Sequence, residues 1–229
     1  MQPFLAMLAL VATPFGDFLG LSRTPEGPGL PIGWRMRPVR GSPPPSFAIL
    51  DQGGERVLRI SGKGAAAWAY LELKTPIGVA AGALSWSWRV LELPAGTDIR
   101  SKDKDDAALR VYVVFAGRRG LLGRRDRVIF YTWGNAEPQG LTQRSFVSDR
   151  IQVVRVAGAM EANGSWREQT VDPFADHRRF WGTEPAPIVA LGVMQDTDQT
   201  SSRARGSALD WLKPPMSAPR CREACEAAR

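Results

Sequence analysis

Strict alternation of apolar and polar residues is the feature that most constrains the fold of this chain. The clearest example runs from Leu84 to Val90 and reads LSWSWRV. Successive side chains of a strand point to opposite faces, so this segment predicts a strand with Trp86 and Trp88 on one side. We expect this tryptophan pair in or beside the core between two sheets.

Similar runs recur along the chain at the spacing typical of β-sandwiches, with turn signals between them. The regular alternation of strands and helices that marks a parallel sheet is missing from the sequence. This pattern favours an all-β fold, an antiparallel two-sheet sandwich of the jelly-roll type. The predicted strands cover residues 34–39, 47–50, 56–61, 67–73, 84–90, 111–115, 128–133, 151–156, 188–194 and 207–212.

One short helix is predicted over residues 173–181. Asp172 is a favourable N-cap residue, and Pro173 fits the first helical position. Gly182 suits the position just after the end of a helix.

The chain has 229 residues, of which 44% are hydrophobic, and this is enough for one large β domain with a full core. We predict a single sandwich over residues 30–212, followed by a Pro-containing tail over residues 213–229. The two cysteines, Cys221 and Cys225, both lie in this tail. A zinc site is disfavoured because the chain has only one histidine.

Residues 1–20 begin with an apolar stretch of signal-peptide length that lacks a basic start and a good cleavage site. We interpret it as a weak or mis-started export signal, which predicts a periplasmic or secreted protein. A cytoplasmic N-terminal arm is the alternative. The stretch is too short to span a bilayer, and no other segment approaches that length.

The net charge of +7 raises the question of nucleic-acid binding. Only five of the 30 basic residues are lysines, and the arginines are spread along the chain among acidic residues. This distribution makes a nucleic-acid partner unlikely. The oligomeric state is left open.

Two acidic pairs are the sharpest candidates for a site. Asp105 and Asp106 open a strand, while Asp196 and Asp198 end a later apolar run. If neighbouring strands carry the four carboxylates to one rim of the sandwich, they have the oxygen chemistry that calcium requires. The alternative is an ion-pair network around Arg110, which would need a carboxylate partner if it were desolvated.

Several motifs together resemble DUF3047, a bacterial family of typically exported proteins without an established activity. The resemblance covers roughly residues 30 to 212 and departs from the family pattern at His177 and Gln199. More distantly, the chain is similar to carbohydrate-binding modules with galactose-binding-like jelly rolls, which implies a similar sandwich here. The motifs are 84–90, 104–115, 131–133, 166–182 and 194–200.

The strand from Ala107 to Phe115 suggests the function. It places Arg110, Tyr112 and Val114 on the face opposite the apolar residues. Aromatic rings stack on sugar rings, while charged side chains bond to hydroxyl groups, so such a face predicts glycan binding. We expect Ser85, Ser87 and Arg89 to share this face, with Tyr131 or Trp133 nearby.

The main hypothesis is therefore non-enzymatic binding of a carbohydrate or cell-envelope glycan on a sandwich face. One alternative is a polysaccharide hydrolase or lyase that uses Asp106 and Asp196 as acid and base. Another alternative is an envelope scaffold without a small ligand. The predicted ligand-binding set is Asp105, Asp106, Arg110, Tyr112, Trp133, Asp196 and Asp198.

Overall fold

The computed structural model describes residues 20–211, except residues 118, 121–122 and 136. For residues 119–120, 123–124 and 207–211 it describes the backbone alone. The start of the chain and the cysteine-containing tail lie outside the described residues. The predicted export signal, the tail and the domain limits therefore stay predictions.

The described part of the chain forms two large β-sheets, a two-stranded ribbon and one α-helix, with three single turns of 3₁₀-helix. All ten predicted strands are present. The elements are β1 (Gly27–Pro28), β2 (Arg35–Pro38), β3 (Ser46–Gln52), β4 (Glu55–Lys63), β5 (Ala66–Ile77), β6 (Leu84–Glu92), β7 (Ala107–Phe115), β8 (Arg119–Gly120), β9 (Gly123–Arg124), β10 (Arg127–Trp133), β11 (Thr142–Arg144), β12 (Ile151–Ala157), β13 (Arg167–Val171), α1 (Pro173–Trp181), β14 (Ile188–Asp196) and β15 (Arg203–Trp211).

The strand order confirms the predicted two-sheet sandwich. One sheet has six strands in the order β1-β3-β4-β15-β6-β13, and the other has seven in the order β11-β12-β10-β7-β14-β5-β2. Neighbouring strands are antiparallel, with the exception of β10 and β12, which run parallel. Residues 134–150 therefore have to return the chain to the end at which β10 began.

Aromatic side chains from both sheets fill the core. Trp86 and Trp88 project inward from β6, and Tyr131 and Trp133 meet them from β10. The ring centroids of Trp88 and Trp133 lie 5.0 Å apart, and those of Trp86 and Tyr131 lie 5.7 Å apart. The predicted position of the tryptophan pair is thus confirmed.

Helix α1 has the predicted limits and closes one end of the sandwich. The Asp172 carboxylate accepts hydrogen bonds from the backbone N–H groups of Phe174 and Ala175. Gly182 ends the helix with a φ of 61°, the left-handed region that favours glycine. The Phe174 ring packs edge to face against Phe115 at the end of β7.

Strand β7 has the two-faced pattern that the sequence predicts. Leu109, Val111, Val113 and Phe115 belong to the core between the sheets. Tyr112 and Val114 join a second apolar cluster on the outer face of the seven-stranded sheet, built around Ile99, Val128, Phe130, Val153 and Met194. The outer face of this sheet is where the candidate site lies.

Candidate functional site

The structure brings three of the four selected aspartates together. One carboxylate oxygen from each of Asp106, Asp196 and Asp198 lies within 4.8 Å of the others. They meet because β7 and β14 are antiparallel neighbours and Asp196 pairs with Ala107. Asp105 interacts instead with Arg110. We call these four aspartates and Arg110 the acidic cluster.

Asp106 already has a structural role. Its carboxylate accepts hydrogen bonds from the backbone N–H of Gln199 at 3.2 Å and of Thr200 at 2.7 Å, and from the Thr200 hydroxyl at 2.5 Å. The residue is completely buried. Asp106 therefore anchors the turn after β14, much as the neighbouring Asp198 holds Ser42 through a hydrogen bond.

Arg110 forms the ion pairs that the alternative interpretation required. Its guanidinium lies 2.6 Å from the Asp105 carboxylate and 3.7 Å from that of Asp196, and it also donates to the Asp105 carbonyl oxygen. Burial alone would lower the pKa of Arg110, but the attraction of Asp105 and Asp196 raises it. Burial raises the pKa of Asp105, although Arg110 opposes this.

Asp196 carries a strongly perturbed carboxyl group. Burial raises its pKa to about 8; Arg110 opposes this, and the negative charges of Asp198, Asp106 and Asp105 add to it. One carboxyl oxygen of Asp196 and one of Asp198 are buried without a hydrogen-bond partner among the described residues. Protonation of Asp196 would relieve this repulsion, and so would a hard cation. Calcium binding at Asp105, Asp106, Asp196 and Asp198 remains a prediction.

Tyr112 lies on the predicted outer face of β7, but it is only 2% exposed. Its hydroxyl donates to the Ala69 carbonyl oxygen at 3.2 Å, so the ring crosses β14 to reach β5. Gly192 of β14 makes this possible, because a Cβ there would lie 2.2 Å from the Tyr112 ring and 2.4 Å from the Ala69 carbonyl oxygen. Tyr112 thus forms part of the floor of a site rather than its contact surface.

Trp133 has to be removed from the predicted ligand-binding set. It is completely buried between the sheets, and its indole N–H donates to the Gly158 carbonyl oxygen. Tyr131 is also fully buried, with its hydroxyl donating to Asp176. Both side chains point inward because they lie on the same face of β10 as the core residue Ile129, two and four residues further along the strand.

The expected grouping of Ser85, Ser87 and Arg89 with Tyr112 is also wrong. These three residues lie on β6 of the six-stranded sheet, whereas Tyr112 belongs to the seven-stranded sheet. The alternation correctly gives the outward face of each strand. It does not say to which sheet a strand belongs.

A groove of about 840 Å³ crosses the outer face of the seven-stranded sheet. One wall comes from β2 and the residues after it, and the other comes from residues 147–151, between β11 and the start of β12. The floor comes from the central strands. We call it the aromatic groove, and its main lining residues are Arg37, Arg40, Trp68, Tyr70, Glu72, Tyr112, Val114, Asp126, Val128, Val147, Ser148, Arg150 and Ile151.

Trp68 and Tyr70 supply the accessible aromatic surface of this groove, and both are half-buried. The Trp68 ring is supported from below, with its centroid 5.0 Å from that of Tyr112 and 4.9 Å from that of Phe130. Both lie in a strand that the sequence predicts, but neither belongs to the predicted ligand-binding set. Their spacing of two residues, which puts both rings on one face, was the available signal.

Charged side chains border these rings. Arg37, Arg40 and Arg150 line the groove together with the carboxylates of Glu72 and Asp126. Glu72 also pairs with Arg35 at 3.2 Å on the exposed rim. The groove therefore combines an aromatic surface with arginine donors on both walls and with carboxylate acceptors from β5 and from the residue before β10.

A family model described as a protein of unknown function, DUF3047, matches residues 32–210. The chain belongs to the DUF3047 family. This confirms the resemblance seen in its sequence motifs. No curated protein matches the DUF3047 chain in sequence.

Solved structures similar to this DUF3047 protein include the family 11 carbohydrate-binding module of a cellulosomal cellulase from Clostridium thermocellum. The two share 10% identity with a TM-score of 0.44, and the match covers 82% of this chain and 92% of that one. The xyloglucanase domain of NopAA from Sinorhizobium fredii shares 13% identity with a TM-score of 0.42, over 82% and 97% of the respective chains. At this level the similarity assigns no activity.

Endoglucanase Cel12A from Rhodothermus marinus is another similar structure. It shares 12% identity with a TM-score of 0.40, and the match covers 82% of the DUF3047 chain and 97% of the endoglucanase.

Among the described residues, no helix has the length and apolar character needed to cross a bilayer.

Proposed function

We propose that this protein binds a glycan in the aromatic groove without cleaving it. The observation that carries the proposal is the pair of half-exposed rings, Trp68 and Tyr70, within a groove of about 840 Å³. This volume falls within the range of about 300–1,000 Å³ that is usual for ligand sites. A carbohydrate or cell-envelope glycan is the ligand class that this chemistry favours.

The aromatic surface suits sugars because one face of a pyranose ring presents C–H groups that pack on an aromatic ring. Trp68 is held in place by Tyr112 and Phe130, so little conformational entropy is lost when a ligand covers it. Arg37 and Arg150 on the walls can donate to sugar hydroxyl groups, and Glu72 can accept from them.

The acidic cluster is less suited than the aromatic groove to direct contact with a sugar. Asp106 is buried and accepts three hydrogen bonds, while Arg110 is buried and paired with Asp105. The alternative hypothesis, a hydrolase, requires Asp106 and Asp196 as its acid and base. Asp106 is 0% exposed and Asp196 7% exposed, which leaves little surface for a substrate. We therefore favour binding over catalysis.

The test is binding of the purified protein to a panel of polysaccharides, followed by titration calorimetry with the best ligand. We expect Trp68→Ala and Tyr70→Ala each to weaken binding about tenfold, which corresponds to about 1.4 kcal/mol for the loss of a stacking surface. Trp166→Ala is the matched control, because Trp166 is an exposed tryptophan that stacks on Arg89 of the other sheet.

Three outcomes would contradict the proposal. Equal affinity of both groove variants and the wild type would exclude the aromatic groove. Release of reducing sugars that is lost in Asp106→Asn would favour the hydrolase. The absence of binding to every polysaccharide would favour the scaffold.

A further inference from the structure

A second concavity lies on the opposite side of the molecule, on the outer face of the six-stranded sheet. It has a volume of about 320 Å³ and lies over β4, β15 and the end of β6. We call it the basic pocket. It is lined by Ser61, Gly62, Lys63, Glu92, Arg203, Ala204 and Arg205.

Strand register concentrates positive charge in this pocket. Arg203 pairs directly with Lys63 across the β15–β4 ladder, and Arg205 lies two residues further along the same face, where it is opposite Glu92 of β6. Like charges placed opposite each other in a sheet are destabilising. Within the part of the chain that the structure describes, no ion pair joins Lys63, Arg203 or Arg205 to a carboxylate.

Positively charged side chains outside the lining residues also lie close to the basic pocket. The pKa of Arg59 on β4 is lowered, first by burial and then by the positive charges of Arg89 and Arg205. Arg89 has no carboxylate partner in the described structure, since its guanidinium contacts the Gln52 side chain, the Gly164 carbonyl oxygen and the Trp166 ring. Further cations on the same sheet face therefore lie close to the lining residues of the basic pocket.

We propose that the basic pocket binds a phosphate group. Lys63, Arg203 and Arg205 against the one carboxylate of Glu92 leave a net charge of +2. This complements a phosphate monoester, which carries a charge of about −1.5 to −2 at neutral pH. Arginine suits the ligand because its guanidinium can donate two parallel hydrogen bonds to phosphate oxygens. The group can belong to a soluble phosphorylated molecule or to a phospholipid headgroup.

The first test is titration of the protein with inorganic phosphate at constant ionic strength, with chloride as the reference anion. Phosphate should raise Tm because it binds the folded state and neutralises the crowded cations. Arg203→Gln and Arg205→Gln should each weaken phosphate binding about tenfold. Arg144→Gln is the matched control, because Arg144 is exposed on β11 of the other sheet.

The unfolding temperature of Arg203→Gln without ligand is a second test. Since Arg203 lies opposite Lys63, Arg203→Gln removes one repelling charge and should unfold at the same temperature as the wild type or at a higher one. A lower Tm of Arg203→Gln without phosphate would overturn the proposal, because it would show that this cation stabilises the fold. Phosphate binding that is absent, or equal in both variants and the wild type, would overturn it as well.

Vesicles separate the two sources of the phosphate group. Sedimentation with phosphatidic acid in phosphatidylcholine, reduced in Arg203→Gln and absent with phosphatidylcholine alone, would assign the pocket to a lipid headgroup. Phosphate binding without sedimentation would assign it to a soluble ligand. Trp68→Ala should bind phosphate with the affinity of the wild type. The phosphate proposal is therefore tested independently of the glycan proposal.

Discussion

At the scale of single residues, Gly192 determines how the aromatic groove is built. The Tyr112 ring lies across β14 at this position, where any other residue would place a Cβ within 2.4 Å of both the ring and the Ala69 backbone. The tyrosine in turn supports Trp68. One glycine thus permits the stack of rings that we propose as the sugar platform.

Gly192→Ala should lower the free energy of unfolding by about 1–3 kcal/mol, because the added methyl group overpacks the Tyr112 contact. Thermal denaturation measures this change. Gly78→Ala is the control, since a Cβ at Gly78 would meet no atom within 4 Å and the backbone there is extended. Equal Tm values for the two variants would mean that Tyr112 does not pack on Gly192.

The buried carboxyl group of Asp196 predicts an unusual pH dependence. Its pKa is raised to about 8 in the folded protein, against about 3.9 in an unfolded chain. The folded state therefore binds this proton more tightly. The resulting stability is fully present below about pH 4 and is lost as the pH rises through about 8. Asp105, whose pKa is also raised, acts in the same direction.

We expect Asp196→Asn to flatten the decrease of stability between pH 5 and pH 8, a decrease of up to about 1.4 kcal/mol per pH unit for one proton. Chemical denaturation at a series of pH values in the presence of EDTA measures it. Asp149→Asn, at an exposed position, should keep the wild-type slope. A calcium-dependent rise in Tm that disappears in Asp196→Asn would instead show that a cation occupies the cluster.

At the scale of secondary-structure elements, local pattern gives the strands and the helix but not their neighbours. The alternation in β6 and β7 correctly predicts which side chains point to the core. The assignment of Arg89 and Tyr112 to one face failed because strand pairing depends on contacts distant in sequence. Strand β13, with the sequence REQTV, was missed because it lies at a sheet edge and contains no apolar alternation.

The candidate site was less predictable for the same reason. The convergence of Asp106, Asp196 and Asp198 could be suspected from their positions at strand ends. The aromatic groove could not, because its walls come from β2 and residues 147–151, which are far apart in sequence and meet only across the folded sheet. Burial of Trp133 was not predicted because β10 has apolar side chains on both faces, so its sequence does not show which face meets the core.

Helix α1 offers a test at the element scale. Asp172→Ala removes the side chain that caps two backbone N–H groups at the start of the helix. The free energy of unfolding should fall by about 1 kcal/mol. Urea denaturation measures this loss, and Asp149→Ala serves as the control for a change at an exposed aspartate. An unchanged midpoint would mean that the cap contributes nothing to stability.

At the scale of the whole molecule, the two outer faces of the sandwich differ in chemistry. The seven-stranded sheet presents rings between charged walls, whereas the six-stranded sheet presents crowded cations. The core between the two sheets separates the aromatic groove from the basic pocket. The two proposed ligands should therefore bind independently.

We expect the effects of Trp68→Ala and Arg205→Gln to be independent in the double variant, because distant sites without shared partners are usually additive. Added NaCl should weaken phosphate binding strongly and binding of a neutral glycan little, because salt screens exposed charges. Calorimetry of both ligands at two salt concentrations measures this. A glycan affinity that falls with salt as steeply as the phosphate affinity would contradict two chemically distinct sites.

The parallel pairing of β10 with β12 has a consequence for how this fold can diversify. The return path that this pairing demands, residues 134–150, also carries the Val147 and Arg150 side of the groove. Lengthening or shortening the part of that path after β11, residues 145–150, would widen or narrow the aromatic groove while leaving the strand ladders intact. The choice of ligand at the proposed glycan site would then change with loop length alone, without a new core.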